Sequence, residues 1–176
     1  MSMTQPDAGE AAVYTPENLQ RLVRYLWNSR NEPKAQSALL YVVLGAFAGL
    51  RPAESVALEW KQVDCTGLVI SMTTPTAKIA RSVSMKSNLL EFLLPYKHRT
   101  GLVIIHKKVA NLLRNECLEA GVAHISNGLR RSYAAYRLAE SSEDIVRAEM
   151  GLDAPPQEGW PVVTAEAAAS YWAITP

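Results

Sequence analysis

The chain has 176 residues and is 48% hydrophobic, enough for one sizeable core, and its length favours a single domain over two. Eighteen lysines and arginines against seventeen acids leave a formal charge of +1, so any nucleic-acid surface has to be a local patch, not a global field. Cys65 and Cys117 lack metal-ligand spacing, and no leader-like segment precedes the fold. The longest apolar run, Ala38 to Leu50, is shorter than the roughly 20 residues that cross a bilayer. A reduced, cytoplasmic setting is expected, with no membrane, metal or cofactor.

Met1 to Ala12 mix small and polar residues without periodicity and read as a loose tail. Thr15 caps a first helix with Pro16 at its first position; Leu19, Leu22, Val23, Leu26 and Trp27 share a face, and the helix should end near Asn31. Ala35 to Phe47 is apolar nearly all round, which suits a central helix, and Gly49 closes it. Pro52 opens another helix with Glu54 placed to reach back to unpaired amides, and Val56, Ala57 and Trp60 are its expected inner face.

From Asp64 the period changes. Leu68 to Ile70 and Ser82 to Met85 read as strands of a small antiparallel sheet, expected to be three-stranded, with Lys78 in a connecting loop rich in threonine and proline. Helices resume with Leu89 to Leu93, then Val109 to Leu118 closed by Gly121. A third starts near Ser126 with Leu129, Tyr133 and Tyr136 on one face. A fourth runs from Ser142 to Gly151, and a last, Ala-rich helix is capped by Thr164 and ends near Trp172. The fold class is therefore mainly α (α+β).

Three segments stand in an order that carries chemistry. Gly49-Leu50-Arg51-Pro52-Ala53-Glu54, leading to Trp60, puts an arginine at a helix start. Thr76-Ala77-Lys78 precedes Arg81-Ser82-Val83. Asn127-Gly128-Leu129-Arg130 puts a second arginine on a separate helix, and Met150-Gly151 follows. Together they resemble the catalytic domain of the tyrosine recombinase, or phage integrase, family. The resemblance spans Tyr14 to Pro176, and implies residues 1–13 as a flexible tail and 14–176 as a recombinase-like domain.

It implies double-stranded DNA as partner, an oligomer formed on that DNA, and strand transfer through a phosphotyrosyl link. Arg51 and Arg130 would clamp the phosphodiester, because guanidinium groups match its non-bridging oxygens with paired, charge-assisted hydrogen bonds. Lys78 would protonate the leaving oxygen. Asn127 stands where the family has histidine, and Leu152 follows Met150-Gly151 where histidine or asparagine is common. No tyrosine lies between Asp153 and Val163, where the family's nucleophile belongs; Trp160 is the nearest aromatic and Tyr171 the remaining candidate. Arg131, Arg81, Lys107 and Lys108 are expected to meet the DNA backbone.

The expected function is that of an integrase-like domain acting on DNA with impaired or lost cleavage. The alternative is a non-catalytic DNA-binding or recombination-modulating protein that keeps only the clamp. A third reading, a fold without DNA affinity that serves as a protein-interaction module, is kept open by the near-neutral charge.

Overall fold

The computed structural model of the protein describes residues 13–72, 80–153, 156 and 159–176. Its helices are α1 (Pro16–Asn28), α2 (Pro33–Ala48), α3 (Pro52–Ala57), α4 (Ser87–Leu93), α5 (Val109–Glu119), α6 (Gly128–Leu138), α7 (Glu143–Met150) and α8 (Ala165–Trp172). The strands are β1 (Val63–Asp64), β2 (Val69–Met72) and β3 (Arg81–Ser84). They form one antiparallel sheet in the order β1-β2-β3, with Val63 opposite Ile70 and Ile70 opposite Val83. The architecture is mainly helical with a small three-stranded sheet, as the changes of period lead one to expect.

Helix α2 is the centre. From Ala35 to Ala48 every residue is buried, and α1, α3, α4, α5 and α6 pack around it. An all-round apolar surface is what such a position requires, since a helix with one wet face would leave apolar area in water on another. Among the described residues no helix is long and apolar enough to cross a membrane.

The helix starts follow local chemistry. The Thr15 hydroxyl accepts the Asn18 amide at 3.2 Å and the Thr164 hydroxyl accepts the Ala167 amide at 3.1 Å, each satisfying one unpaired donor of a first turn. Helix α1 ends at Asn28, short of the expected Asn31, and the Arg30 guanidinium stacks over the Trp27 ring at 4.0 Å while donating to the Trp27 carbonyl at 2.7 Å.

Two inner faces differ from expectation. Helix α3 stops after Ala57, so Glu54 and Ser55 point inward, Ala57 is exposed, and Leu58 and Trp60 are buried from the extended chain and turn that follow. On α5, Leu118 is 75% exposed while Leu113 and Cys117 are buried. Helix α3 has fewer than two turns and α5 about three, so the chain around each decides which side is covered.

Gly49 ends α2 in the left-handed region (φ 63°), and a Cβ there would stand 2.5 Å from Cδ1 of Tyr133. Only glycine meets both demands. Gly151 ends α7 in the same way, at φ 62°. These two stops bring the last carbonyls of α2 and α7 to one place.

Candidate phosphate-binding site

Arg51 is the N-cap of α3. The Glu54 carboxylate accepts its backbone amide at 2.7 Å and its guanidinium at 3.0 Å, and this pair of bonds holds the side chain where the helix begins. A second nitrogen of the Arg51 guanidinium donates to the Gly151 carbonyl at 2.8 Å. Arg130, from the first turn of α6, donates to the Gly49 carbonyl and, at 2.7 Å, to the Met150 carbonyl. It thus joins the C-terminal ends of α2 and α7, whose last carbonyls have no helical partner and whose dipoles favour a cation.

Arg51, Asn127, Arg130, Arg131, Leu152 and Trp160 all line one open cleft of about 770 Å³. The cleft therefore unites residues from the ends of α2 and α7, the start of α3 and the start of α6. Burial, and next the nearby Arg51 charge, lower the Arg130 guanidinium from its ordinary range to about 10, so it stays cationic near neutrality while the two cations repel across the site. Each guanidinium has five N–H groups, so both retain donors after these internal bonds. Two cations held together by protein acceptors, with donors to spare, form a seat for an oxyanion.

A third arginine shares the Glu54 carboxylate with Arg51. Arg81, on β3, meets Glu54 through both nitrogens, at 2.5 and 2.8 Å, and donates from Nε to the Glu149 carbonyl at 2.9 Å. Expected on the DNA-facing surface, Arg81 is only 10% exposed, because the buried Glu54 carboxylate and the end of α7 draw it inward. Burial opposes the charge of Glu54, but hydrogen bonds from Arg81 and the Arg51 amide outweigh it and hold the carboxyl down at about 2. Glu54 is therefore an anion that offsets the arginines from beneath.

Asn127 adopts the left-handed conformation (φ 54°) just before α6 and its side chain makes no capping bond. Asparagine tolerates this backbone better than most residues, which is a local reason for its presence. Arg131 also lines the cleft and is half-buried, without a side-chain hydrogen bond among the described residues. The cleft thus takes both neighbours, Arg130 and Arg131. Lys107 and Lys108 are exposed at the start of α5, outside the cleft. Lys78 lies outside the described residues. Among the described residues no group of three or more His, Cys, Asp or Glu is placed to hold a metal ion.

All seven tyrosines fall within the described residues, and none lines the cleft. Tyr171 is fully buried: its hydroxyl donates to the Ala46 carbonyl at 2.5 Å and its ring stacks on Tyr136 at 3.9 Å. Burial raises its pKa well above the ordinary value, the reverse of activation. The candidate nucleophile is thus part of the core. The Tyr133 ring packs against Gly49, but its hydroxyl donates to Glu149 at 2.7 Å, and Glu149 also accepts two hydrogen bonds of 3.0 Å from Arg137. Trp160 occupies the cleft wall, packed on a small cluster with Tyr133, Val146 and Met150.

Sequence reasoning missed the acceptors. The Gly49, Met150 and Gly151 carbonyls that position the arginines leave a faint sequence signal, in that each of the two arginine-bearing segments is matched by a glycine stop at the end of a helix.

This arrangement of helices and sheet is the fold of tyrosine recombinase and integrase catalytic domains. XerA recombinase superposes with a TM-score of 0.69 at 14% identity, over 96% of this chain and 61% of its own. The catalytic domain of bacteriophage HP1 integrase does so with a TM-score of 0.65 at 20% identity, over 95% of this chain and 90% of its own. XerH recombinase, in a post-cleavage complex with its palindromic difH substrate, follows at 0.60 and 17% identity, over 88% of this chain and 50% of its own. The chain thus spans less than two thirds of the length of XerA and XerH. Compared by sequence, it matches no family model and no curated protein. At these identities the likeness is one of fold.

Proposed function

We propose that this chain acts on DNA as a recombinase-type domain that grips a backbone phosphate with Arg51 and Arg130 and does not cleave with a tyrosine of its own. One observation carries the reading: two guanidiniums tied to the adjacent carbonyls Gly151 and Met150 share a cleft that no tyrosine lines. The bonds to helix ends fix the cations before any ligand arrives, so little ordering is lost on binding. Arg131 adds a contact to the strand, and Lys78, between β2 and β3 in the sequence, is the residue that would reach the leaving oxygen if strand transfer occurs with a nucleophile from elsewhere. The XerH complex with DNA supports a duplex as the ligand.

The lack of a tyrosine in the cleft lining favours a binding or recombination-modulating role over autonomous strand transfer. Six tyrosines are buried, and Tyr25, on α1, lies in a separate groove beside Arg21 and Arg24.

Duplex binding at low salt, followed by anisotropy, tests the grip. The Arg51→Ala, Arg130→Ala double variant is expected to lose more than about tenfold in affinity and to lower the slope of log affinity against log salt by about two. Arg51→Gln alone, at a partly exposed position, gives the same direction should the double variant be unstable. A nicked suicide duplex tests the chemistry: no covalent adduct is expected. An adduct lost on substituting any one tyrosine by phenylalanine would overturn the second half of the reading, and no binding at low salt would overturn the first.

A further inference from the structure

A second cavity, of about 530 Å³, adjoins the cleft at the start of α6 and shares Pro52, Asn127 and Arg130 with it. Its wall comes from α2, α3, α5 and the chain leading into α6. Three hydroxyls line it, those of Tyr41, Ser55 and the exposed Ser126; Tyr41 and Ser55 are only 6% and 1% exposed, and neither side chain has a hydrogen-bond partner among the described residues. With no protein partner, these hydroxyls are free to donate to a group that enters the cavity.

The remaining chemistry of the wall has one sign. The 11-residue helix α6 begins here, and Asn127, its N-cap, makes no side-chain cap bond. The first backbone bond of that turn from within the helix is Arg131 N–H to Asn127 O at 3.1 Å, so the amides of Leu129 and Arg130 are without backbone partners. Arg114 and His124 also line the cavity, and no Asp or Glu does. Burial, and then the Arg114 charge, push His124 below its ordinary value, which leaves it a neutral N–H donor close to an uncompensated cation.

From this wall of donors we infer that the cavity is a second oxyanion site, taking a phosphate group through Tyr41, Ser55, Arg114 and the open amides of α6. On a bound strand it holds the phosphate next to the one gripped by Arg51 and Arg130. Asn127 and Arg130 face both spaces, so one strand passes from the clamp to the cavity without leaving the protein. Phosphate fits this set, because helix amides, hydroxyls and a guanidinium all donate and its oxygens accept from several of them at once.

The strand assignment rests on the proposed function, whereas the cavity's chemistry does not, and the experiment separates them. Inorganic phosphate is titrated into the full chain while backbone amide NMR signals are followed. Signals of Ser55 and of residues 124–129 are expected to move and saturate. Arg114→Gln, an exposed change on α5, is expected to raise the half-saturating phosphate about fivefold with the responses at Met150 and Gly151 unaltered. Tyr41→Phe, which removes one hydroxyl and little volume, acts in the same direction. With a short duplex as ligand, Arg114→Gln weakens binding about fivefold and lowers the salt slope by about one.

Silence at the cavity while Met150 and Gly151 respond overturns the inference and leaves the clamp intact. Phosphate binding in the cavity with duplex affinity unchanged by Arg114→Gln overturns the strand assignment and makes the site one for free phosphate. Silence at both sites overturns the inference together with the phosphate grip.

Discussion

The cleft and the aromatic core beside α2 both spend polar side chains on backbone carbonyls, and the outcome is opposite. Arg51 and Arg130 each satisfy helix-end carbonyls and still have donors to offer. Tyr171 has a single O–H, and the Ala46 carbonyl takes it. A residue with one donor that is bonded in the core is finished as a reagent; a residue with five can be anchored and reactive at once. The residue types that recombinase chemistry needs are present in both regions, so what distinguishes them is how many donors remain after the fold is satisfied.

The contrast is broken most strongly from beneath the cleft. Glu54→Gln removes the anion that accepts from both Arg51 and Arg81, leaving Arg81 buried without its partner. A loss of on the order of 3 kcal/mol is expected in denaturant unfolding, together with weaker duplex binding as Arg51 loses its anchor. The same group sets an acid limit. Its folded-state pKa, about 2, lies below the ordinary 4.5, so its contribution is fully present above about pH 4.5 and is lost as the pH falls towards 2. A stability profile that stays flat over that window in the native chain, or that keeps its fall in Glu54→Gln, would show that the carboxylate is not the keystone.

Tyr171→Phe sharpens the other side. It strands the Ala46 carbonyl in the core and is expected to cost about 1–2 kcal/mol in thermal or denaturant unfolding. Duplex affinity should be unchanged, because the hydroxyl is not in the cleft. A change in affinity without a change in stability would reverse the assignment of this residue to the core.

Arg131→Gln is the mildest change. Its guanidinium lines the cleft with no side-chain bond among the described residues, so stability should shift by less than about 0.5 kcal/mol. Duplex affinity at low salt should fall about threefold, with a loss of about one in the salt slope. An unaltered slope would place Arg131 off the path of the strand.

Much of the fold was legible because local rules govern it. The caps Thr15 and Thr164, the stops Gly49 and Gly151, the apolar α2 and the shift from helical to alternating period each announce an element within a few residues. The inward turn of Ser55, the exposure of Ala57 and Leu118, and the burial of Arg81 were not, because each depends on what lies across the domain. Of the site, the two arginine segments could be picked out by their neighbours in the chain. Their partners could not, since a carbonyl is the same atom at every position until the fold selects which ones stay unpaired.

By itself the sequence determined a helical domain with a small sheet and two arginines standing at the starts of separate helices, because periodicity, caps and stops act over one or two turns. The tertiary structure alone decided that these arginines meet, that Glu54 and Arg81 lie under them, and that Tyr171 belongs to the core. Those outcomes turn on burial and on the number of free donors, and both are properties of how segments 27 to 125 residues apart come together.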